Sequence, residues 1–431
     1  MNDYRFDREW ARAQDRADPL RAYRNEFHIP VHDGPPHGNG EQVYLCGNSL
    51  GLQPRATRQA LLDELDDWAR LGVEAHLHGR HPWLPYHSEV RDALADVCGA
   101  HPSEVVAMNS LTANLHLLMV SFYRPTRERH AILIERNAFP SDRHAVASQI
   151  AFHGFDPRTA LIELDGDESG GTISMQAIER ALREHGSRVA LVLWPGVQYL
   201  SGQAFDLKAI AKLAQARGCM IGFDLAHAAG NIECNLHDAD ADFAAWCSYK
   251  YLNSGPGAVA GAFVHARHAE AKLPRFEGWW GHREATRFQM RPEFDPAAGA
   301  DGWQLSNPPI FALAPLRVSL EIFRRAGIAN LRAKSRHLTA YLAWLIETQL
   351  NDTLEILTPA EHERRGAQLS VRVRDGREAG RSLFDHLVSD GVLGDWREPD
   401  VLRLSPAPLY NRFEDCMALV ESALAWRASR A

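Results

Sequence analysis

The sequence predicts an α/β protein with a large doubly wound domain around a mostly parallel sheet and a smaller α+β C-terminal domain. Three observations carry that expectation. Short apolar runs of strand length recur at residues 131–135, 160–165, 189–194, 219–224, 243–248 and 259–265. Stretches with helical spacing, residues 173–184 and 207–217 among them, separate several of these runs. Runs that are apolar on both faces and linked by helices imply strands covered by helices on both sides, the setting of parallel sheets. From about Pro308 onward the texture changes to longer helical patterns, residues 316–325 and 331–350, followed by shorter strand candidates at 367–373 and 401–405.

In chain order, the segment before about residue 100 carries two helical patterns joined by a stretch rich in Gly, His and Pro, which pattern alone assigns to neither domain. Residues 34–40 read as a mobile loop. The sequence Asn109-Ser110-Leu111-Thr112-Ala113-Asn114 opens an apolar helical run at 115–122. The run at 131–135 then leads to Phe139-Pro140-Ser141-Asp142, placed as a strand-to-helix turn. The run at 219–224 ends on Asp224, and the next ends in Ser248-Tyr249-Lys250. In a doubly wound sheet, ligands gather beyond the carboxyl ends of the strands, where both Asp224 and Lys250 fall. No internal repeat is visible.

A chain of 431 residues is long enough for two or three domains and a large core. Its 45% hydrophobic and 24% charged content is that of a soluble globular protein. The formal charge of -8 gives no electrostatic reason to expect nucleic-acid binding, because a phosphate backbone is held by clustered Lys and Arg. The first residues mix both charge signs where a signal peptide would place a basic start and an apolar stretch. The most apolar stretch, 189–197, is interrupted by Pro195-Gly196 and falls far short of the ~20 residues of a membrane helix. Six cysteines without a CxxC pair read as free thiols of a reducing compartment, and the expectation is cytoplasmic.

Asp224 and Lys250 carry the chemistry. An acid ending one apolar run and a lysine ending the next are what a pyridoxal 5'-phosphate site needs: the amine holds the cofactor aldehyde, and a buried carboxylate keeps the pyridine nitrogen protonated. Each alone has an ordinary reading, a strand-end cap for Asp224 and a solvated surface lysine for Lys250. Their combination with Tyr249 and the loop Asn253-Ser254-Gly255-Pro256-Gly257 favours the cofactor.

The flanking motifs are read against that pair. Leu111 and Thr112 open a helix whose free N–H groups and dipole suit a phosphate, although a plain N-cap has the same appearance. Phe139 is placed to stack on a pyridine ring and Asp142 to approach its polar edge, with Ser141 or Asp142 as simple helix caps the equal alternative. His227, three residues past Asp224, is near enough to orient that carboxylate. Trp279 and Asn307 lie in aromatic and polar loop segments and are neutral donors for a phosphate or ring substituent, surface turns being the alternative. Arg403 offers its fork to a substrate carboxylate or to a structural salt bridge. His76, His78 and His81 lack Cys, Asp or Glu partners at ligand spacing, so no metal is expected. Gly255-Pro256-Gly257 with Gly261 does not fit GxGxxG, which leaves a dinucleotide without support.

The runs at 44–52, 139–142, 222–230, 246–253 and 305–309 together resemble the kynureninase family, a branch of the fold-type I (aspartate aminotransferase-like) pyridoxal phosphate enzymes, over nearly the whole chain. The Cys247-Ser248-Tyr249-Lys250-Tyr251-Leu252-Asn253 run is its most specific part. The resemblance implies that Lys250 carries the cofactor, Asp224 holds the pyridine nitrogen and Phe139 stacks on the ring. Leu111, Thr112, Pro140, Ser141, Asp142, His227, Tyr249, Trp279 and Asn307 complete the cofactor site. Catalysis falls to Lys250, Tyr249 and Asp224, and substrate contacts to Ser49, His76, Ser306, Asn307 and Arg403.

It further implies an N-terminal segment 1–50 packing on the small domain, a large domain 51–310 and a small domain 311–431. A homodimer with residues of both chains in each site follows, together with hydrolysis of L-kynurenine or its 3-hydroxy form in tryptophan catabolism or NAD biosynthesis. His76 and the Ser306-Asn307 pair match the pattern of relatives favouring the 3-hydroxy substrate. One departure stands out: some relatives have serine where Pro195 stands, and proline offers neither hydroxyl nor N–H. The alternatives are a class V aminotransferase, a cysteine desulfurase and a binding protein of the same fold without turnover. A desulfurase needs a reactive cysteine on a late loop, and the tail has only Cys416 inside a helical pattern.

Overall fold

Strand Ala131–Glu135 appears as expected, and the other five apolar runs become Leu161–Leu164, Val189–Pro195, Met220–Asp224, Phe243–Trp246 and Gly261–Val264 in the computed structural model, which describes residues 3–32, 40–168 and 171–430. Of the 34–40 loop, only Gly40 lies within the described residues. A seventh strand, Val105–Ala107, joins the same sheet. Three residues are too few for a periodic signal, so pattern reading passed it over.

Across the sheet the order is Val105–Ala107, Gly261–Val264, Phe243–Trp246, Met220–Asp224, Val189–Pro195, Ala131–Glu135 and Leu161–Leu164. Gly261–Val264 runs antiparallel to both its neighbours, and the remaining pairings are parallel. Alternate residues feed two cores. Ala131, Leu133, Val192, Trp194, Ile221, Phe223 and Trp246 point to one face, and Ile132, Ile134, Leu191, Leu193, Phe243 and Ala245 to the other. Both faces being apolar explains why these runs lack polar alternation.

Helix Met175–His185 starts where the Ser174 hydroxyl accepts from the Ala177 N–H, and Leu207–Gln215 where Asp206 accepts from the Ala209 N–H. Both are side-chain N-caps that satisfy a donor the helix leaves free. Ile310–Ala326, expected in the smaller unit, packs on Thr57–Leu71 and Arg91–Cys98 and sends Leu313, Leu316, Leu320 and Phe323 into the larger core.

A second, antiparallel sheet orders Asp395–Arg397, Val401–Leu404, Leu369–Val373 and Leu354–Ile356. Its apolar side shares a core with helices Ile328–Gln349, Arg377–Ser389 and Phe413–Ala428. Helix Arg8–Ala17 packs on Phe413–Ala428, where Arg12 bonds to Glu414 at 2.8 Å and Asp15 accepts from the Phe413 N–H at 2.7 Å. Lys334 pairs with Asp18 at 2.7 Å with both side chains buried. Among the described residues no helix is long and apolar enough to cross a membrane.

Candidate functional site

Ala131–Glu135, Val189–Pro195 and Met220–Asp224 are adjacent and parallel, so Glu135, Pro195 and Asp224 end along one edge of the sheet. A cavity of about 220 Å³ opens there, lined by these three residues, by Ser110, Leu111 and Thr112, by Phe139, Ser141 and Asp142, and by Val197, Tyr199, Ala226, His227, Tyr249 and Lys250. Residues from five separate stretches of the sequence converge because each follows or precedes an element of the same sheet.

The lysine loop is held by its backbone. The Asn253 N–H donates to the Lys250 carbonyl at 2.9 Å, with Asn253 in the left-handed region at φ 53°. The Gly51 N–H donates to the Tyr249 carbonyl at 2.8 Å. A Cβ on Gly51 would stand 2.2 Å from the Lys250 carbonyl oxygen, so only glycine permits this approach. Tyr251 shares a 2.9 Å hydrogen bond with Ser405, joining the loop to the end of Val401–Leu404. The Lys250 Nζ lies 5.8 Å from the centre of the Phe139 ring and 5.9 Å from that of Tyr249.

Three carboxyl groups face this one ammonium. Asp224 accepts from the Ala226 N–H at 2.6 Å and is hydrogen-bonded to Asp142. Burial, followed by the Asp224 charge, pushes Asp142 well above the usual carboxylate range, and the same two causes raise Glu135. Several like charges in a low-dielectric cleft cannot all ionise, so protons are retained. Burial and then the positive charges of Lys250, Arg403 and Arg397 hold His227 far below the ordinary imidazole value, and it is neutral near pH 7. Burial and the neighbouring Cys247 thiol keep the Tyr249 phenol protonated.

The cavity offers unsatisfied partners. Asp142 Oδ1 and His227 Nδ1 are buried without a hydrogen bond, which is costly unless a ligand supplies the partner. Helix Leu111–Phe122 has no side-chain cap from Ser110, and Pro140–Phe152 none from Phe139. Ser141 instead shares a 2.7 Å hydrogen bond with Thr112, tying the two helix starts together. Capping, the alternative for Ser141, is therefore not its role. These groups fit pyridoxal 5'-phosphate: an ammonium for an aldehyde, buried carboxylates for a pyridinium, helix N–H groups for a phosphate, and Phe139 for a ring.

Other expected residues sit elsewhere in the single chain. Pro140 is the first residue of its helix, beside the cavity. The Trp279 indole donates to the Arg287 carbonyl at 3.2 Å, and the side chain is half exposed. Ser306 and Asn307 line a separate cavity of about 250 Å³ with Asn109 and Gly257. His76 bonds through Nδ1 to the Val73 carbonyl at 2.9 Å and packs edge-on against Trp83. Ser49 accepts from Arg397 at 3.4 Å. Arg403 is fully buried, donating to the Tyr199 carbonyl at 2.8 Å and to Asp395; of its two readings, the structural ion pair is present.

Glu135, Tyr199 and Arg397 were missed in the sequence. Glu135 had a usable signal, since it ends an apolar run as Asp224 does. Tyr199, whose ring meets Phe139 edge-on at 5.2 Å, and Arg397 had none. Cys416 is buried inside helix Phe413–Ala428, and burial raises its thiol, which is the opposite of a reactive loop cysteine.

The family model described as "Kynureninase C-terminal domain" matches residues 331–423, and that of the "DegT/DnrJ/EryC1/StrS aminotransferase family" matches 80–240. A curated protein of Stenotrophomonas maltophilia named "Kynureninase" is 62% identical over 420 residues, 97% of this chain and 98% of that protein. Another of that name from Xanthomonas euvesicatoria pv. vesicatoria is 60% identical over 98% of this chain and 99% of its own length. Among solved structures, a cysteine desulfurase from Escherichia coli matches with a TM-score of 0.74 at 16% identity, covering 95% of this chain and 98% of that one. At that identity the likeness speaks for the fold alone, that of the fold-type I pyridoxal phosphate enzymes.

Proposed function

The chain belongs to the kynureninase family, and from that membership and the cavity around Lys250 we infer that it is a pyridoxal 5'-phosphate-dependent hydrolase acting on a carbon–carbon bond. It cleaves the Cβ–Cγ bond of L-kynurenine or its 3-hydroxy form to give anthranilate or 3-hydroxyanthranilate and L-alanine. The observation that carries this reading is the convergence of Lys250 with the buried Asp224 in one cavity at the carboxyl edge of the sheet.

The bound cofactor supplies an electron sink for the charge left on carbon when a proton or carbon group departs. Lys250 anchors it through Nζ and, once released, takes the substrate's α-proton at that atom. Asp224 holds the proton on the pyridine nitrogen, while neutral His227 and Asp142 orient the carboxylate. Phe139 covers the ring. Leu111, Thr112 and Ser141, beside Pro140, hold the phosphate at the two helix starts. Tyr249 keeps its proton at neutral pH and delivers it from its hydroxyl to the β-carbon and γ-oxygen side of the reaction. Ser49 and Arg403 are the residues assigned to the substrate carboxylate, Arg403 keeping its pair with Asp395 and Arg397 lying beside Ser49.

His76, Trp279, Ser306 and Asn307 stand outside the cavity of their own chain, which supports a homodimer in which they complete the partner's site. The imidazole and the amide of that set suit a ring hydroxyl, so 3-hydroxykynurenine is the preferred substrate. The division proposed is a segment 1–50, a large domain 51–310 and a small domain 311–431; segment 1–50 sends Leu20 and Phe27 to the larger core and Ala11, Val43 and Leu45 to the smaller. Six free cysteines support a cytoplasmic protein.

Adding kynurenine to the cofactor-loaded protein tests the reading. Anthranilate fluorescence should grow with wild type and be absent with Lys250→Ala, whose visible cofactor absorbance is also lost. Fluorescence at the wild-type rate in that variant overturns the assignment, and an aminotransferase, a desulfurase or a non-turnover binder would produce none from either protein.

A further inference from the structure

We propose that His101 and His237 form a surface chelate for a divalent transition-metal ion, with zinc the best match, and that buried Glu104 orients His237 for it. The two imidazoles are 136 residues apart in sequence, yet their Nε2 atoms stand 3.2 Å apart. Together with Glu104 they are the one group of three potential ligand residues found among the described residues, and none of the three lines the cavity around Lys250.

The backbone sets this pair. The Leu236 N–H donates to the Cys98 carbonyl and the His237 N–H to the Gly99 carbonyl, each at 3.0 Å, which locks the 235–237 segment beside 98–99. Gly99 lies in the left-handed region at φ 63°, and a Cβ there would meet Asn235 Cα at 2.6 Å. Few alternative placements are open to the two rings.

The tautomer follows from Glu104. This carboxylate is fully buried and accepts from the His101 N–H at 2.8 Å, the Ala266 N–H at 2.7 Å and His237 Nδ1 at 2.9 Å. Two backbone N–H groups donating to its oxygens favour the ionised carboxylate. A charged acceptor at Nδ1 holds the His237 proton there and leaves the Nε2 lone pair facing His101. The His265 ring stacks on His237 at 4.9 Å and 16°, which fixes its plane. A ligand imidazole whose other nitrogen is held by a carboxylate is the arrangement that orients histidine on zinc.

The spacing suits an ion. Two nitrogens at ~2.0–2.1 Å from a tetrahedral centre lie about 3.3 Å apart, against 3.2 Å here. Imidazole donors select zinc, copper and nickel over magnesium or calcium. His101 is exposed, so the remaining positions are open to water and the ion has an entry path. Without an ion, the His101 Nε2–H bridges to the His237 Nε2 lone pair; on binding, His101 takes its other tautomer, its proton moving through solvent from Nε2 to Nδ1, so both rings ligate as neutral imidazoles with no net proton loss.

The test is zinc titration of the cofactor-loaded protein against a chromophoric chelator, with thermal unfolding in parallel. Wild type should hold one zinc ion per chain that His101→Ala does not, and zinc should raise Tm in wild type only, since an ion bound to the folded state stabilises it. Glu104→Gln should weaken binding about 10–100-fold. In the copper-loaded protein, the electron paramagnetic resonance spectrum should show coupling to two nitrogens that is lost in His101→Ala and in His237→Ala. His76→Ala should retain all of these signals. His101 is a surface side chain, so its variant keeps the fold and its turnover. Equal zinc stoichiometry and Tm shift in wild type and His101→Ala, or no zinc bound by wild type, overturns the proposal.

Discussion

Two strands of the sheet, separated by Val189–Pro195, end on an acid, Glu135 and Asp224, and a third acid, Asp142, bonds to the second of them. Burial and the neighbouring Asp224 charge push Glu135 and Asp142 above the usual carboxylate range. Asp224→Asn should fold normally and lose about 10²- to 10³-fold in kcat, measured by anthranilate release; an unchanged rate would remove Asp224 from the reaction. Tyr249 belongs to the same scale. A raised phenol pKa means that the donor form persists as pH rises and is lost only above the ordinary value of about 10. Tyr249→Phe should therefore cost about 10²- to 10⁴-fold in kcat, and wild-type kcat should show no alkaline limb belonging to Tyr249 below pH ~10. A fall centred near pH ~8 that vanishes in the phenylalanine variant would contradict this. For the substrate ring, kcat/KM should be higher for 3-hydroxykynurenine than for kynurenine, and the ratio should narrow in Asn307→Thr. Equal or reversed values in wild type would remove the assigned preference and leave the reaction untouched.

The elements matter here through where they stop. Helices Leu111–Phe122 and Pro140–Phe152 begin without side-chain caps and meet through the Thr112–Ser141 hydrogen bond, which turns two frayed ends into one row of donors. The lysine loop has no regular structure of its own and takes its form from the 44–52 segment, whose Gly51 sits against the Lys250 carbonyl. Gly51→Ala should push that carbonyl aside, destabilise the fold by about 1–3 kcal/mol and weaken cofactor affinity, read by denaturant melts and by titration of the visible absorbance. An alanine variant with wild-type stability and affinity would show that the close approach is dispensable. The inner strands were legible in the sequence because both faces of each are buried and the runs are continuous, while Leu161–Leu164 at the sheet edge is only half buried. Val105–Ala107 was not, since its place at the sheet edge is set by pairing with Gly261–Val264 and not by any pattern of its own.

At the scale of the molecule, the single chain builds the cavity around Lys250 but leaves Trp279, Ser306, Asn307 and His76 outside it. If a second copy brings them in, activity and dimerisation are linked. Sedimentation at assay concentrations should find a dimer, and dilution below its dissociation constant should lower specific activity; a fully active monomer would contradict the shared site.

By itself the sequence determined the alternation of buried strands and helices, the positions of Asp224, Tyr249 and Lys250 at the ends of apolar runs, and the motifs that mark the kynureninase family. These are local properties, written in residue type and spacing. Tertiary structure alone decided which distant groups meet. It set Glu135 beside Asp224 because their strands are near neighbours in the sheet, placed Arg397 against Ser49 across 348 residues of chain, and committed Arg403 to Asp395. It also brought His101 to His237 by pairing two loops through backbone hydrogen bonds. Contacts of that kind depend on sheet order and on loop pairing, which spacing along one chain does not encode in any local pattern.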